Sequence, residues 1–173
     1  MENIYLVGFM GTGKSTVAKE LSKLLPLNIV EMDACLETLA GMPISKIFEE
    51  QGEEAFRKME TMFLQAISQE KNQIISCGGG VVLKDENIDI MKKTGTVVLL
   101  KARPDTIYLR VYEDENRPLL KDKKSVADIE AMLKSREGQY NKAKDIELEV
   151  DDLTPAEISA KLIEEIALLD RLH

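Results

Sequence analysis

The segment 8–15 constrains this chain more than any other, because it reads Gly-Phe-Met-Gly-Thr-Gly-Lys-Ser. A glycine, four residues, a glycine, a lysine and a serine have the spacing of a phosphate-binding loop. An apolar run at 4–7 precedes the loop and has the length of a buried strand. Residues 16–25 follow it with an apolar helical face made of Val17, Leu21, Leu24 and Leu25. A strand, a glycine loop and a helix are the context that this motif requires.

Each part of the loop has a physical role in holding a triphosphate. The glycines allow a tight turn that aims successive N–H groups at a phosphate, and the start of the helix adds partial positive charge. Lys14 can reach the terminal phosphates, and the Ser15 hydroxyl can ligate Mg²⁺. The sequence therefore predicts binding of a nucleoside triphosphate, taken to be ATP, with Mg²⁺. The predicted nucleotide-binding residues of the loop are Gly11, Thr12, Gly13, Lys14, Ser15 and Thr16.

Length and charge limit the number of domains and the kinds of partner that the chain can have. The chain has 173 residues, which suits one domain, and a formal net charge of −8, which disfavours a nucleic-acid partner. No apolar run approaches the length that spans a bilayer, and the first predicted strand begins too early to leave room for a signal peptide. Cys35 and Cys77 fit reduced thiols, and the one histidine is His173 at the end, so we expect catalysis without an internal imidazole. We therefore expect a monomeric, cytoplasmic enzyme with no membrane partner.

Apolar runs alternate with helical patterns along the rest of the chain. We predict strands at 28–32, 73–76, 96–100 and 146–150, the last at a sheet edge because its apolar and acidic residues alternate. Residues 43–70 read as mainly helical, and further helices are predicted at 104–112, 126–140 and 155–169, with a charged loop at 113–124. This alternation predicts an α/β fold, in which helices cover both faces of a parallel sheet.

Polar residues and glycines follow three of the predicted strands. Ser15 comes after the first strand, Asp33 after the second and glycines 78–80 after the third. Ligands of parallel sheets bind beyond the carboxyl ends of the strands, so these residues are expected to meet at one site. Asp33 is interpreted either as a contact for an attacking hydroxyl or as a cap for the helical segment that follows, and the two roles are compatible.

Beyond the loop, an ordered set of motifs resembles the shikimate kinases, small P-loop phosphotransferases of aromatic amino-acid synthesis. The set comprises Glu31-Met32-Asp33, Gly52-Glu53-Glu54-Ala55-Phe56-Arg57, Gly78-Gly79-Gly80, Arg110, Arg117-Pro118-Leu119-Leu120 and Arg136 with Tyr140. The resemblance covers nearly the whole chain. It implies transfer of the ATP γ-phosphate to the 3-hydroxyl of shikimate, with Mg²⁺.

The same resemblance implies an architecture. We expect a three-layer α/β/α P-loop kinase fold with five parallel strands, a helical substrate-binding insertion and a lid. The chain would form one domain at 1–173, with the core at about 1–32, 71–111 and 125–173. The substrate-binding region would lie at about 33–60 and the lid at about 112–124.

The resemblance also implies roles for single residues. Lys14, Asp33 and Arg117 are expected to be catalytic, with Asp33 accepting the hydroxyl proton and Arg117 adding a cation from the lid. Arg110 is expected to stack on adenine, and Arg117 also to contact ATP. The expected shikimate contacts are Asp33, Arg57, Gly78, Gly79, Gly80 and Arg136, with the two arginines on the carboxylate. Judged from local sequence alone, both arginines read as solvated helix residues, with Arg57 paired to Glu53, Glu54 or Glu60.

Three places in the sequence depart from the family pattern. Glu31 stands where the family usually has an aspartate that steers Mg²⁺ through water, and we expect Glu31 to keep that role with a shifted geometry. The predicted third strand ends with Ile75-Ser76-Cys77 and has no acidic residue there, so the predicted metal site depends more on Ser15. A late arginine that some members place near adenine has no match around 153–155.

Three other interpretations remain open. A gluconate-type kinase shares the loop and lid but lacks the pairing of Phe56-Arg57 with the triple glycine. A GTP-driven switch is suggested by the segment 141–145, Asn-Lys-Ala-Lys-Asp, although its aspartate is one residue too late and no Asp-x-x-Gly occurs. A module that binds ATP without transferring phosphate is disfavoured by the intact Lys14, Ser15, Asp33 and Arg117.

Overall fold

The computed structural model describes residues 2–111 and 125–172, which form a parallel sheet with helices on both faces. The strands are β1 (Asn3–Val7), β2 (Asn28–Glu31), β3 (Gln73–Ser76), β4 (Gly95–Lys101) and β5 (Ile146–Glu149). The helices are α1 (Lys14–Leu24), α2 (Met32–Ala40), α3 (Ile44–Gln51), α4 (Glu53–Ile67), α5 (Asp85–Thr94), α6 (Pro104–Val111), α7 (Val126–Ala143) and α8 (Pro155–Leu172), with a 3-10 turn at Val81–Leu83.

The strands lie in the order β2-β3-β1-β4-β5, and each pair is parallel. β1 occupies the centre, where Ile4 is in register with Ile74 on one side and Thr96 on the other, and all five of its residues are buried. A continuous apolar run is what a strand covered on both faces requires. The predicted five-stranded parallel sheet is confirmed, and β5 lies at an edge as its alternating pattern indicated.

Alternate residues of the central strands build two cores. Ile4 and Leu6 point to one face, where Val17 and Leu21 of α1 and Leu162 of α8 cover them. On the other face Tyr5 and Val7 pack against residues of α4, α5 and α7, namely Leu64, Ile88, Met91, Tyr140 and Ala143. The three-layer arrangement follows directly from this period-two alternation.

Several predicted boundaries were wrong. The second strand ends at Glu31, because Met32 already begins α2, so Asp33 lies in the first turn of that helix and not at the end of a strand. The helical stretch 43–70 is divided at Gly52, whose φ of 88° breaks the helix. Leu24 is 57% exposed, so only part of the predicted α1 face is buried.

One helix was not predicted, and two others end later than predicted. α5 was not predicted, α7 continues three residues beyond the predicted end at 140, and α8 continues to Leu172. The predicted charged loop, and with it the lid, falls on 112–124 and lies outside the described residues.

The segment 33–60 is organised around a small core of its own. Leu36 of α2, Ile47 of α3 and Phe56 of α4 are buried against one another, separate from the two cores of the sheet. The ring of Phe48 packs on that of Phe56 with centroids 5.1 Å apart. This subsidiary core fixes α2 and the start of α4 beside the carboxyl ends of β2 and β3.

The phosphate loop leaves β1 through a position that only glycine fills. Gly8 has φ 148°, and a Cβ there would lie 2.4 Å from the carbonyl oxygen of Leu100 in β4. The loop then turns into α1 through Gly13, whose left-handed backbone (φ 89°, ψ 25°) holds the N-cap position. Within the described ranges, we find no helix long and apolar enough to cross a membrane.

Candidate active site

A cleft of about 800 Å³ opens at the carboxyl ends of β1, β2 and β3. The phosphate loop forms its floor through residues 11–16, and Glu31, Asp33, Gly78 and Gly79 form a wall. The structure thus brings the residues that follow three strands to one place, as the alternation of elements predicted.

Lys14 spans the phosphate loop. Its Nζ donates to the carbonyl oxygens of Gly8 at 2.7 Å and Phe9 at 3.0 Å. The buried Thr12 hydroxyl also donates to the Phe9 carbonyl, at 2.8 Å. These bonds fold the loop around the ammonium group of Lys14, next to the N-terminus of α1.

Ser15 and Glu31 meet directly on the cleft wall. The Ser15 hydroxyl donates to Oε2 of Glu31 at 2.9 Å, which joins the first turn of α1 to the end of β2. Hydroxyl and carboxylate oxygens are the ligand types that Mg²⁺ takes in proteins. This pair therefore fits the predicted metal position.

Arg110 lies beside the loop. Its Nη1 donates to the carbonyl oxygen of Gly11 at 3.0 Å, and a Cβ on Gly13 would lie 3.3 Å from the same atom. A Cβ on Gly11 would approach Val111 Cγ1 to 3.0 Å, so the loop and the end of α6 are packed together. Arg110 lines the cleft opposite Leu153 and Pro155, which provide an apolar surface.

The surface-pair interpretation of Arg57 is wrong. Arg57 is only 7% exposed, and its Nη1 bonds Oε1 of Glu60, itself 0% exposed, at 3.0 Å. Glu53 adds a second contact at 3.4 Å, whereas Glu54 pairs with Lys58. A buried ion pair is costly unless its remaining donors and acceptors are satisfied. Among the described residues, Arg57 Nε and Glu60 Oε2 have no hydrogen-bond partner, so the pair has capacity left for a ligand.

Glu60 is the site residue whose role the sequence did not reveal. Burial raises the pKa of its carboxyl above the ordinary value, and the nearby charge of Asp33 adds to this, while Arg57 and Arg136 oppose it. Its local spacing to Arg57 looked like a common surface pair, and no sequence signal marked it as buried.

Arg136 is also buried, at 5% exposure, and not solvated. Its Nη1 donates to the carbonyl oxygen of Gly79 at 3.2 Å, and its guanidinium lies 5.4 Å from the centre of the Phe9 ring. One turn along α7, the Tyr140 hydroxyl donates to the same Gly79 carbonyl at 2.7 Å. Phe9 and Tyr140 thereby orient Arg136 toward the glycine segment.

Glycines 78–80 make room for the charged side chains. A Cβ on Gly78 would lie 2.8 Å from Asp33 Oδ1 and 3.0 Å from Glu60 Oε2. A Cβ on Gly79 would lie 3.2 Å from the Met10 backbone nitrogen, and one on Gly80 only 2.5 Å from Nη1 and Nη2 of Arg57. The triplet that follows β3 is therefore packed closely against side chains of α2, α4 and α7, and it is not a free turn.

Arg117 falls in 112–124, outside the described residues, so its predicted role stays a prediction.

The segment 141–145, which suggested guanine recognition, has a structural role. Asp145 accepts from the Val97 backbone N–H at 2.8 Å and pairs with Lys92, while Lys142 pairs with Asp85. The GTP-switch interpretation thereby loses its motif.

Fold and site together define a class. The phosphate loop follows the central strand of a parallel α/β sheet with its lysine and serine in place, and Asp33 lines the same cleft. The buried Arg57 and Arg136 lie against Gly80 and Gly79, next to that cleft. This is the arrangement of a P-loop phosphotransferase.

Comparison with known proteins gives the family. The family model described as Shikimate kinase matches residues 10–167, so the chain belongs to the shikimate kinase family, whose members are ATP-dependent kinases. It is 41% identical over 165 residues to a shikimate kinase of Thermodesulfovibrio yellowstonii, covering 95% of both chains. It also matches the solved shikimate kinase of Acinetobacter baumannii in complex with shikimate, with a TM-score of 0.93, 32% identity and coverage of 100% of this chain and 96% of the other.

The gluconate alternative receives less support. A gluconokinase from Sinorhizobium meliloti matches with a TM-score of 0.57 and 13% identity, covering 97% of this chain and 93% of that one. That likeness is one of fold alone.

Proposed function

We propose that the chain is a shikimate kinase that transfers the γ-phosphoryl group of ATP to the 3-hydroxyl of shikimate. One observation carries the proposal. Asp33 and the phosphate loop line a single cleft, and the buried Arg57 and Arg136 converge on the glycines of its wall.

The two arginines select an anionic acceptor. Desolvated guanidinium groups are stabilised by a carboxylate, which takes up two parallel hydrogen bonds from an arginine. Arg57 keeps an unpaired Nε among the described contacts, and Arg136 is held in place by Gly79 and Phe9. A small ring acid with its carboxylate here would extend toward Asp33, because Gly78 lets that side chain stand close to the glycine segment.

Asp33 would hold the attacking hydroxyl. It lies in the first turn of α2 and lines the cleft with the phosphate loop. The transition state of phosphoryl transfer is loose and asks mainly for position and charge, so a carboxylate of ordinary basicity is sufficient to accept the proton. The alternative role predicted for Asp33, as the cap of the helix that follows, is wrong, because Glu31 holds the N-cap position of α2 and Asp33 lies inside its first turn.

The phosphate loop would hold the nucleotide. Residues 11–16 line the cleft, and their backbone N–H groups would bind the phosphates. Lys14 would exchange its two loop carbonyls for the terminal phosphates. Mg²⁺, held by Ser15 and Glu31, would neutralise charge on the phosphates when bound. Arg110 would lie against the adenine, and Arg117 would approach the transferred group, as the family resemblance implies.

The test is a coupled ADP-release assay with purified protein, ATP, Mg²⁺ and a panel of hydroxylated acids that includes shikimate and gluconate. We expect ADP release to depend on shikimate. Faster turnover with gluconate, or ATP binding without transfer to any acceptor, would contradict the assignment. We further infer a monomer that acts in the cytoplasm, and light scattering would test the monomer.

A further inference from the structure

Glu60 is a buried acid whose second oxygen is unpaired. Among the residues that the structure describes, it is the only acidic residue that is buried. Its Oε1 accepts from Arg57 Nη1 at 3.0 Å, whereas Oε2 has no hydrogen-bond partner within the described ranges. A Cβ on Gly78 would lie 3.0 Å from this Oε2 and 2.8 Å from Asp33 Oδ1. The unpaired oxygen therefore lies beside the glycine segment and near a second carboxylate.

The charged groups around Glu60 balance one another. Arg57 on the same helix and Arg136 on α7 both act on the Glu60 carboxyl with a permanent positive charge. Asp33 on α2 acts on it with a negative charge. Cys77, after β3, also interacts with Glu60, but burial raises the pKa of its thiol, so it stays neutral. Two guanidinium groups thus face two carboxylates.

A bound acceptor carboxylate would disturb that balance. This inference rests on the proposed function, since it requires the acceptor carboxylate at Arg57 and Arg136. Three carboxylates would then face two guanidinium groups, and a desolvated carboxyl in such a place binds a proton instead of keeping the excess charge. Burial already raises the pKa of the Glu60 carboxyl, and a third carboxylate would raise it further. Asp33 lines the open cleft, so the fully buried Glu60 is the group that gains most from neutralisation.

We propose that Glu60 takes up one proton from the solvent when the acceptor carboxylate binds, so that shikimate binding is coupled to proton binding. The proton adds to Oε2, the oxygen without a partner, and no other bond is made or broken. Arg57 then directs its charge to the acceptor and keeps its hydrogen bond to Oε1. The excess charge is removed without protonating Asp33, whose proposed role requires the ionised form.

The sign of the pH dependence follows from this coupling. The complex holds the proton more tightly than the free protein does, so shikimate affinity is highest at low pH and falls as pH rises. The carboxyl of shikimate itself is ionised above about pH 5, because simple carboxyl groups titrate near pH 4. A proton taken up between pH 5 and 8 therefore goes to the protein.

The experiment is calorimetric titration of the protein with shikimate between pH 5 and 8, in buffers of different ionisation enthalpy. The change of the measured heat with buffer gives the number of protons taken up. For the wild type we expect a maximum of at least about half a proton per shikimate bound, and a Kd that rises about threefold per pH unit there.

Glu60→Gln separates this role from a structural one. Glutamine is neutral and has nearly the shape of the protonated acid, so the variant should bind shikimate with no proton uptake and with a Kd independent of pH. At pH 8 its affinity should equal or exceed that of the wild type, whereas loss of a merely structural ion pair would weaken binding. The matched control is Glu54→Gln on the same helix, whose side chain is 82% exposed and pairs with Lys58. It should show the proton uptake of the wild type.

The wild-type measurement tests the inference even if a variant does not fold, which thermal melting would reveal. Shikimate binding without proton uptake, or equal uptake in wild type and Glu60→Gln, would overturn the inference; shikimate-dependent ADP release would then leave the proposed function standing. Proton uptake by a protein that transfers no phosphate to shikimate would defeat the proposed reaction and leave the proton coupling intact. An absence of shikimate binding would overturn both.

Discussion

Gly80→Ala tests whether the missing side chain at Gly80 makes room for the guanidinium group of Arg57. A methyl group at Gly80 would lie 2.5 Å from both terminal nitrogens of Arg57 and 2.6 Å from Cζ. Because ordinary contact begins at 3.4 Å, the guanidinium must retreat by about 1 Å. It is held by Glu60 at 3.0 Å and Glu53 at 3.4 Å, so the displacement also loosens the buried pair.

The expected loss is one charge-assisted hydrogen bond to the acceptor carboxylate. Such bonds contribute about 1.5–3 kcal/mol, which corresponds to a rise of about 10- to 150-fold in the KM for shikimate. The KM for ATP should stay within about twofold, because the three atoms nearest to a Cβ on Gly80 all belong to Arg57 and none to the phosphate loop.

The assay is steady-state ADP release with each substrate varied in turn. Gly138→Ala is the matched control: this glycine lies in α7 close to Arg136, and a Cβ there would meet nothing within 4 Å. It should leave both KM values unchanged and stabilise the helix slightly. An unchanged KM for shikimate in Gly80→Ala, or equal increases for both substrates, would refute the placement of Arg57 at the acceptor site.

Three further substitutions test other parts of the site. Lys14→Ala should lower kcat by about 100-fold or more, because its contact to the transferring group strengthens in the transition state; near-normal turnover would remove Lys14 from the reacting centre. Arg136→Ala should raise the KM for shikimate well above any change for ATP, and equal changes would contradict its role. Burial raises the pKa of Glu60, so the folded state holds its proton more tightly than the unfolded chain, and the free energy of unfolding should fall as pH rises above 4.5. Glu60→Gln should remove this contribution in urea titrations from pH 4.5 to 8; an identical pH profile in the variant would argue against it.

The sheet and the phosphate loop could be predicted because their signals are local. The apolar runs of β1, β3 and β4 and the spacing of the loop each lie within a few residues. The start of α2 was misplaced because the helix begins at Met32, directly after β2, with no turn residue between them. The helix ends at Gly41, whose φ of 69° lies in the left-handed region that favours glycine.

Burial of the arginines could not be predicted from local sequence. Arg57 with Glu53 and Glu60 has the same spacing whether the helix face is solvated or buried. What buries Arg57 is Gly80, more than 20 residues away, whose missing side chain leaves space for the guanidinium. The family resemblance indicated the acceptor role of Arg57, but its pairing with Glu60 became visible only in three dimensions.

In the proposed reaction, an alcohol of a small ring acid is held in line with a nucleotide on the phosphate loop. The most direct measurement is ³¹P NMR of the reaction of this protein with ATP, Mg²⁺ and shikimate, followed through to the isolated product. We expect a new phosphate monoester signal coupled to the proton on carbon 3 of the ring, formed as ADP appears. Inorganic phosphate alone, or an ester at another hydroxyl, would contradict it.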